Sequence, residues 1–156
     1  TALEPLHEHL FEYKTHMMQN YGAGVQACYR GPRLYDTPET QAAVTEVIQW
    51  YKKYRDILNS DMIHLRRPDA RDWDGFIHVN PHKKEKGLAM FFNPTHQEIT
   101  RTIHIPLYYT GLTQTARIRE KEQKPVTYKL NRNYTVELTV KIPANGYTWY
   151  VVEAAD

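Results

Sequence analysis

An irregular segment between two predicted helices carries the residues best suited to ligand binding. Residues 25–29 form a short apolar run typical of a buried strand, and a turn rich in glycine, proline and arginine follows it. In a β/α unit, ligand contacts come from the loop after the strand. Guanidinium groups and tyrosine hydroxyls suit hydrogen bonding to hydroxyl or carboxylate groups. We therefore predict a substrate-binding set of Tyr29, Arg30, Arg33, Tyr35 and Asp36.

A structural role for part of this set is the alternative interpretation. Arg33 and Asp36 immediately precede a helix, and they could hold the loop against the start of that helix instead of contacting a ligand. The sequence leaves both interpretations open.

A second cluster of chemically capable residues is Asp69, Asp72 and Asp74, of which the last two belong to the run Asp-Trp-Asp-Gly at 72–75. A retaining glycosidase needs two carboxylates about 5–5.5 Å apart, and clustered oxygens can also bind calcium. A polar turn between two strands explains the same residues, with each Asp accepting hydrogen bonds from nearby backbone amides. We therefore expect no catalytic residue, no metal ligand and no cofactor in this chain.

Aromatic side chains are abundant, with 12 tyrosines and three tryptophans. They could stack on the apolar faces of sugar rings, or fill the core of a β-rich domain, which is the more common role. The five residues in question are Trp73, Tyr108, Tyr109, Trp149 and Tyr150.

Two helices and then a series of short strands must position these residues. Apolar side chains recur at helical spacing over 3–20 and again over 37–58, where Asp36 or Thr37 can cap the helix and Glu39 fits a capping box with Asp36. From residue 61 onward, eight short alternating or apolar runs separated by turn signals predict an antiparallel β-sandwich. The run 134–142 alternates strictly, and Asn145-Gly146 predicts a tight turn that pairs it with 147–153.

Composition narrows the functional classes. The chain has 156 residues, a net charge of +2 and one cysteine, Cys28. No long Lys/Arg block predicts a nucleic-acid partner, and no apolar run reaches the ~20 residues of a membrane span. The first residues lack a basic region followed by an apolar core, so we expect no signal peptide.

Several motifs, taken in order, resemble the end of the melibiase-type α-galactosidases, which are retaining glycoside hydrolases. The stretch Gly22-Ala23-Gly24-Val25 is similar to the family's Gly-Ala-His-Val strand. The stretch 51–58, Tyr-Lys-Lys-Tyr-Arg-Asp-Ile-Leu, is similar to its last barrel helix, and 87–93 to a strand of its C-terminal sandwich. The resemblance implies that residues 1–58 are the last elements of a (β/α)8 barrel and that 59–156 form the β-sandwich.

Two departures limit what the resemblance implies for activity. Gly24 replaces the family's histidine, and no segment resembles the motifs of the two catalytic aspartates, which lie further upstream in that family. We therefore predict a non-catalytic C-terminal region that supports an upstream catalytic barrel. A free-standing carbohydrate-binding module is the alternative, and burial or exposure of Trp73, Trp149 and Tyr109 separates the two. Because the helical stripes are wide, we also expect the isolated chain to self-associate.

Overall fold

A computed structural model describes residues 4–25 and 33–155. A short 3₁₀ helix (Leu6–His9) leads into α1 (Leu10–Gly22), and α2 spans Pro38–Leu58. The N-cap of α2 is Thr37, whose side-chain oxygen accepts a hydrogen bond from the backbone of Thr40. The hydroxyl of Thr40 completes the capping box by accepting from the backbone of Thr37. The predicted partnership of Asp36 with Glu39 was therefore wrong, because Thr40 lies at the third helical position.

Eight strands follow, all joined by antiparallel pairing, as the sequence predicts. Six of them form one sheet in the order β1-β2-β3-β8-β5-β6, and the other two, β4 and β7, form a second sheet. Their bounds are β1 (Asp61–Arg66), β2 (Asp74–Val79), β3 (Gly87–Phe92), β4 (Ile99–Pro106), β5 (Thr115–Glu120), β6 (Val126–Lys129), β7 (Thr135–Ile142) and β8 (Tyr147–Glu153).

One predicted pairing was wrong. Asn145 and Gly146 do connect β7 to β8, but β7 pairs with β4, whereas β8 pairs with β3 and β5 in the other sheet. Every residue from Thr148 to Val152 is buried, because β8 lies inside the larger sheet with packing on both faces. The connection is therefore a crossing between two layers and not a hairpin.

The larger sheet lies between two apolar clusters. One face of β2, β3 and β8 contributes side chains such as Ile77, Phe91 and Val152 to the core shared with β4 and β7. The opposite face contributes Phe76, Met90 and Trp149 to a second cluster with the helices. In a strand, successive side chains point to opposite faces, so both clusters arise from the same three strands. The molecule thus has three layers: helices, a six-stranded sheet and a two-stranded sheet.

The apolar stripes of both helices pack on the larger sheet. Val44, Val47 and Tyr54 of α2 are buried in the cluster that covers the larger sheet, and so are Leu6, Tyr13, Met17 and Met18 of the preceding segment. Contacts therefore cross the predicted boundary between 1–58 and 59–156. The division into two domains stays a prediction.

Candidate functional site

The predicted substrate-binding set lies only partly within the described residues. Tyr29 and Arg30 fall outside them, as does the predicted strand apart from Val25, which is in a bend and 51% exposed. Arg33 and Tyr35 are exposed at the start of the loop that enters α2, and Arg33 forms an ion pair with Glu4 at 3.0 Å.

Asp36 holds the N-terminal segment against the start of α2. Its carboxylate accepts hydrogen bonds from the His7 backbone at 3.1 Å and from the Thr40 hydroxyl at 3.0 Å, and it lies 2.8 Å from His7 Nδ1. Burial acts to raise the pKa of Asp36, but the hydrogen bonds from His7 and Thr40 outweigh it and lower that pKa to about 2. These contacts support the structural interpretation of Asp36, and the substrate-binding role of the set stays a prediction.

Two of the three clustered aspartates have structural partners. Asp69 forms a two-pronged ion pair with Arg66 and accepts backbone hydrogen bonds from Arg71 and Asp72 at 2.9 and 3.2 Å. The pairing with Arg66 holds the pKa of Asp69 well below its usual range. The Asp72 carboxylate accepts from the Trp73 backbone at 2.7 Å and from Arg101 at 3.2 Å. The polar-turn interpretation therefore accounts for both residues.

Asp74 differs from its two neighbours. Within the described part of the chain, its half-buried carboxylate has no hydrogen-bond partner. Burial raises the pKa of Asp74 to about 6, against a lowering effect from Arg66. Asp74 begins β2, in which Phe76 and His78 point toward the helices, so the two-residue period places Asp74 on that same face. The two-residue period of the strand indicates from the sequence which face Asp74 occupies, but only the structure shows that α1 covers that face.

A cavity of about 250 Å³ opens between α1 and the sandwich beside Asp74. The α1 side contributes Glu12, Thr15 and His16, and the sandwich side includes Phe92 and Asn145. Thr15 is 8% exposed, and its hydroxyl finds no hydrogen-bond partner among the described residues.

A second cavity, of about 460 Å³, lies between the two helices and the β5–β6 turn. Its lining includes the Lys14–Glu46 ion pair, at 2.9 Å, and the rings of Trp50, Tyr147 and Trp149. The indole nitrogen of Trp50 is buried without a hydrogen-bond partner among the described residues.

The aromatic residues divide between core and surface. Trp149 and Tyr150 are buried, with the Trp149 ring 5.3 Å from that of Tyr54, and Trp73 is half-buried. Tyr108 and Tyr109 are 63% and 64% exposed. Their rings are perpendicular, with centroids 5.1 Å apart, so they do not form a flat row.

Among residues 4–25 and 33–155, no group of three His, Cys, Asp or Glu side chains is arranged to hold a metal ion. In the same part of the chain, no helix combines the length and apolar character needed to cross a membrane.

Comparison with known proteins gives a match through structure alone. No protein-family profile and no curated sequence matches the chain. A GH27 β-L-arabinopyranosidase from Geobacillus stearothermophilus superposes with a TM-score of 0.60 at 12% identity, covering 93% of this chain and 30% of that one. The α-galactosidase I of Mortierella vinacea gives 0.58 at 14% identity, with 91% and 35% covered.

A putative α-galactosidase from Bacteroides fragilis is similar to the same extent, with a TM-score of 0.59 at 13% identity and coverage of 94% and 29%. This chain thus spans about a third of the length of the proteins it matches. The predicted resemblance is confirmed at the level of fold: the chain has the fold of the C-terminal part of the α-galactosidase-like GH27 glycoside hydrolases.

Proposed function

We propose that this chain is the non-catalytic C-terminal region of a larger glycoside hydrolase-like protein, in which it supports an upstream catalytic barrel. The observation that carries the proposal is the extent of the structural match. It covers 93% of the chain, and the uncovered remainder is shorter than α1 alone. The match therefore extends beyond the sandwich into the helical layer.

The chemistry of the described residues supports a non-catalytic role. A retaining mechanism needs one carboxylate as nucleophile and a second as acid/base. Asp69 and Asp72 are held by arginines and backbone amides, and Asp36 is held by His7 and Thr40. Burial raises the pKa of Asp74 to about 6, which suits acid/base chemistry, but a retaining mechanism also needs a nucleophilic carboxylate placed across the scissile bond from it.

Apolar side chains that border residues 26–32 support an upstream partner. Val25, Leu34 and Tyr35 are each more than 40% exposed, although α1 and α2 bury their stripes on the sheet. In the longer protein, barrel elements would cover these side chains. Self-association of the isolated chain through its helical part, expected from the wide apolar stripes, stays a prediction, although α1 and α2 bury most of those stripes. Sedimentation velocity over a range of concentrations tests it.

Hydrolase activity tests the proposal. The isolated chain should not release nitrophenol from 4-nitrophenyl α-D-galactopyranoside or 4-nitrophenyl β-L-arabinopyranoside, whereas a longer protein containing the barrel should act on a glycoside. Turnover by the isolated chain above the buffer rate, abolished in Asp74→Asn, would contradict the non-catalytic role.

The second candidate function is carbohydrate binding through exposed aromatic side chains. Exposure of Tyr108 and Tyr109 favours it, whereas burial of Trp149 and the perpendicular tyrosine rings favour the supporting role. Retention of the chain on an insoluble polysaccharide, lost in Tyr109→Ala but not in Tyr51→Ala, would establish this second function.

A further inference from the structure

We infer that the cavity between α1 and the start of β2 binds a small hydroxyl-rich ligand, the size of one sugar ring, with Asp74 as its principal hydrogen-bond acceptor. The inference goes beyond the supporting role proposed above. The two rest on different observations: the supporting role rests on the extent of the structural match, and the binding site rests on the lining of the cavity beside Asp74.

Within the described part of the chain, Asp74 is committed to no hydrogen bond or ion pair. Asp69 and Asp72, from the same turn, are committed to arginines and backbone amides. Asp74 is half-buried on the helix-facing side of the sheet, where it lines a cavity instead of a protein contact. A carboxylate held in this way, in a cleft, is a candidate binding group.

The rest of the cavity lining is rich in polar groups. Thr15 contributes a hydroxyl that is buried without a hydrogen-bond partner in the described part of the chain, and a ligand hydroxyl in the cavity would supply one. Glu12, His16 and Gln19 lie on the exposed face of α1 at the rim. Asn145, on the β7–β8 connection, adds an amide oxygen, since its side-chain nitrogen lies 3.2 Å from His96 Nδ1. Convergent polar groups beside an apolar ring, here Phe92, are typical of small-molecule sites.

The charge and volume of the cavity indicate the class of ligand. Among the described residues, the lining contains two carboxylates, Glu12 and Asp74, and no lysine or arginine, so it disfavours an anion. No three metal-ligating side chains converge in the described residues, which argues against a metal ion. The volume of about 250 Å³ is below the range of ~300–1,000 Å³ typical of sites for drug-sized ligands. A neutral ligand that donates several hydroxyl hydrogens and fills one small cavity meets all three conditions.

The experiment is an NMR titration of the ¹⁵N-labelled chain with methyl α-D-galactopyranoside and methyl α-D-glucopyranoside. We expect saturable shifts of the amides of Thr15, Gly75 and Asn145 with at least one of the two. Asp74→Asn should weaken binding by about tenfold or more, because it replaces a charge-assisted hydrogen bond with a neutral one. Glu12→Gln, at the exposed rim where folding is not at risk, should weaken it a few-fold.

Two controls fix the location. Asp61→Asn changes an exposed aspartate at the start of β1 and should leave binding unchanged. Tyr109→Ala should also leave it unchanged, which separates this cavity from stacking on the surface tyrosines. The inference is overturned if neither sugar gives saturable shifts, or if the shifts centre on Tyr109. It is also overturned if Asp74→Asn and Glu12→Gln bind as tightly as the unaltered chain. Tetramethylammonium chloride serves as the probe for a cationic ligand, and shifts with this salt alone would overturn the inference too. None of these results would alter the hydrolase test above.

Discussion

Single carboxylates in this chain are controlled by their immediate surroundings. Asp69 and Asp74 are five positions apart, yet the arginine beside Asp69 lowers its pKa, whereas burial raises that of Asp74 to about 6. Because folding raises the pKa of Asp74, the contribution of this group to stability is fully present below the unfolded-state pKa of ~3.9. This contribution is lost as the pH rises through about 6.

Asp74→Asn therefore has a pH-dependent effect on stability. We expect the variant to be more stable than the unaltered chain by roughly 1 kcal/mol at pH 8, and the difference to vanish near pH 3.5. The figure is smaller than the pKa shift alone would give, since water screens the half-exposed carboxylate. Urea unfolding at the two pH values measures the difference, with Asp61→Asn as the control. Equal free energies of unfolding for Asp74→Asn and the unaltered chain at pH 8 would contradict the raised pKa of Asp74.

Tyr54 links the helical layer to the sandwich. It is 1% exposed, its hydroxyl donates to Glu122, and Arg119 donates to that hydroxyl at 3.0 Å. Burial is the main cause that raises the pKa of Tyr54.

We expect Tyr54→Phe to lower the free energy of unfolding by about 1–2 kcal/mol, because it leaves Arg119 and Glu122 without their shared partner. Tyr51→Phe is the matched control. Among the described residues, the Tyr51 hydroxyl bonds only the exposed Asn59, at 3.0 Å, so its loss should cost less than about 0.5 kcal/mol. Chemical denaturation of both variants measures the two effects, and equal losses would mean that the link contributes nothing specific.

At the scale of elements, α2 depends on its N-terminal cap. Thr37 and Thr40 satisfy each other's backbone amides at a terminus that would otherwise leave donors unpaired. Thr37→Ala should lower stability by about 1 kcal/mol. Thr45→Ala, on the exposed middle of the same helix, should be neutral or slightly stabilising because alanine has the higher helix propensity. Thermal unfolding compares the two variants, and an equal shift in both would contradict the role of the cap.

The sequence predicted the elements better than their pairing. All eight strands lie close to their predicted positions because turn residues and two-residue alternation are local signals. The pairing of β7 with β8 failed because pairing is not local. The sequence did indicate that β8 lies inside a sheet. Residues 149–152, Trp-Tyr-Val-Val, form a continuous apolar run, which is typical of a strand buried on both faces. The strict alternation of β7 is typical of a strand with one face in solvent.

The candidate site was less predictable than the fold. Asp69, Asp72 and Asp74 look equivalent in sequence, and only the approach of Arg66, Arg101 and α1 distinguishes them. The structural role of Asp36 depends on His7, which is 29 positions away. Such contacts depend on how the helical layer packs, so they cannot be predicted from a local sequence pattern.

At the scale of the whole molecule, the central claim is that this chain supports a catalytic barrel. The helices use one face to cover the larger sheet, and exposed apolar side chains remain beside residues 26–32. A supporting region that shares an apolar interface with its neighbour should unfold together with it, because interface contacts couple the two stabilities.

The most direct test is calorimetric unfolding of the protein encoded by the complete gene, with and without residues 59–156. We predict that upstream residues form a glycoside hydrolase barrel, that the intact protein unfolds in one transition, and that removal of the sandwich lowers the unfolding temperature of the barrel. A barrel that unfolds at the same temperature without the sandwich, or a gene that encodes no upstream barrel, would contradict the account.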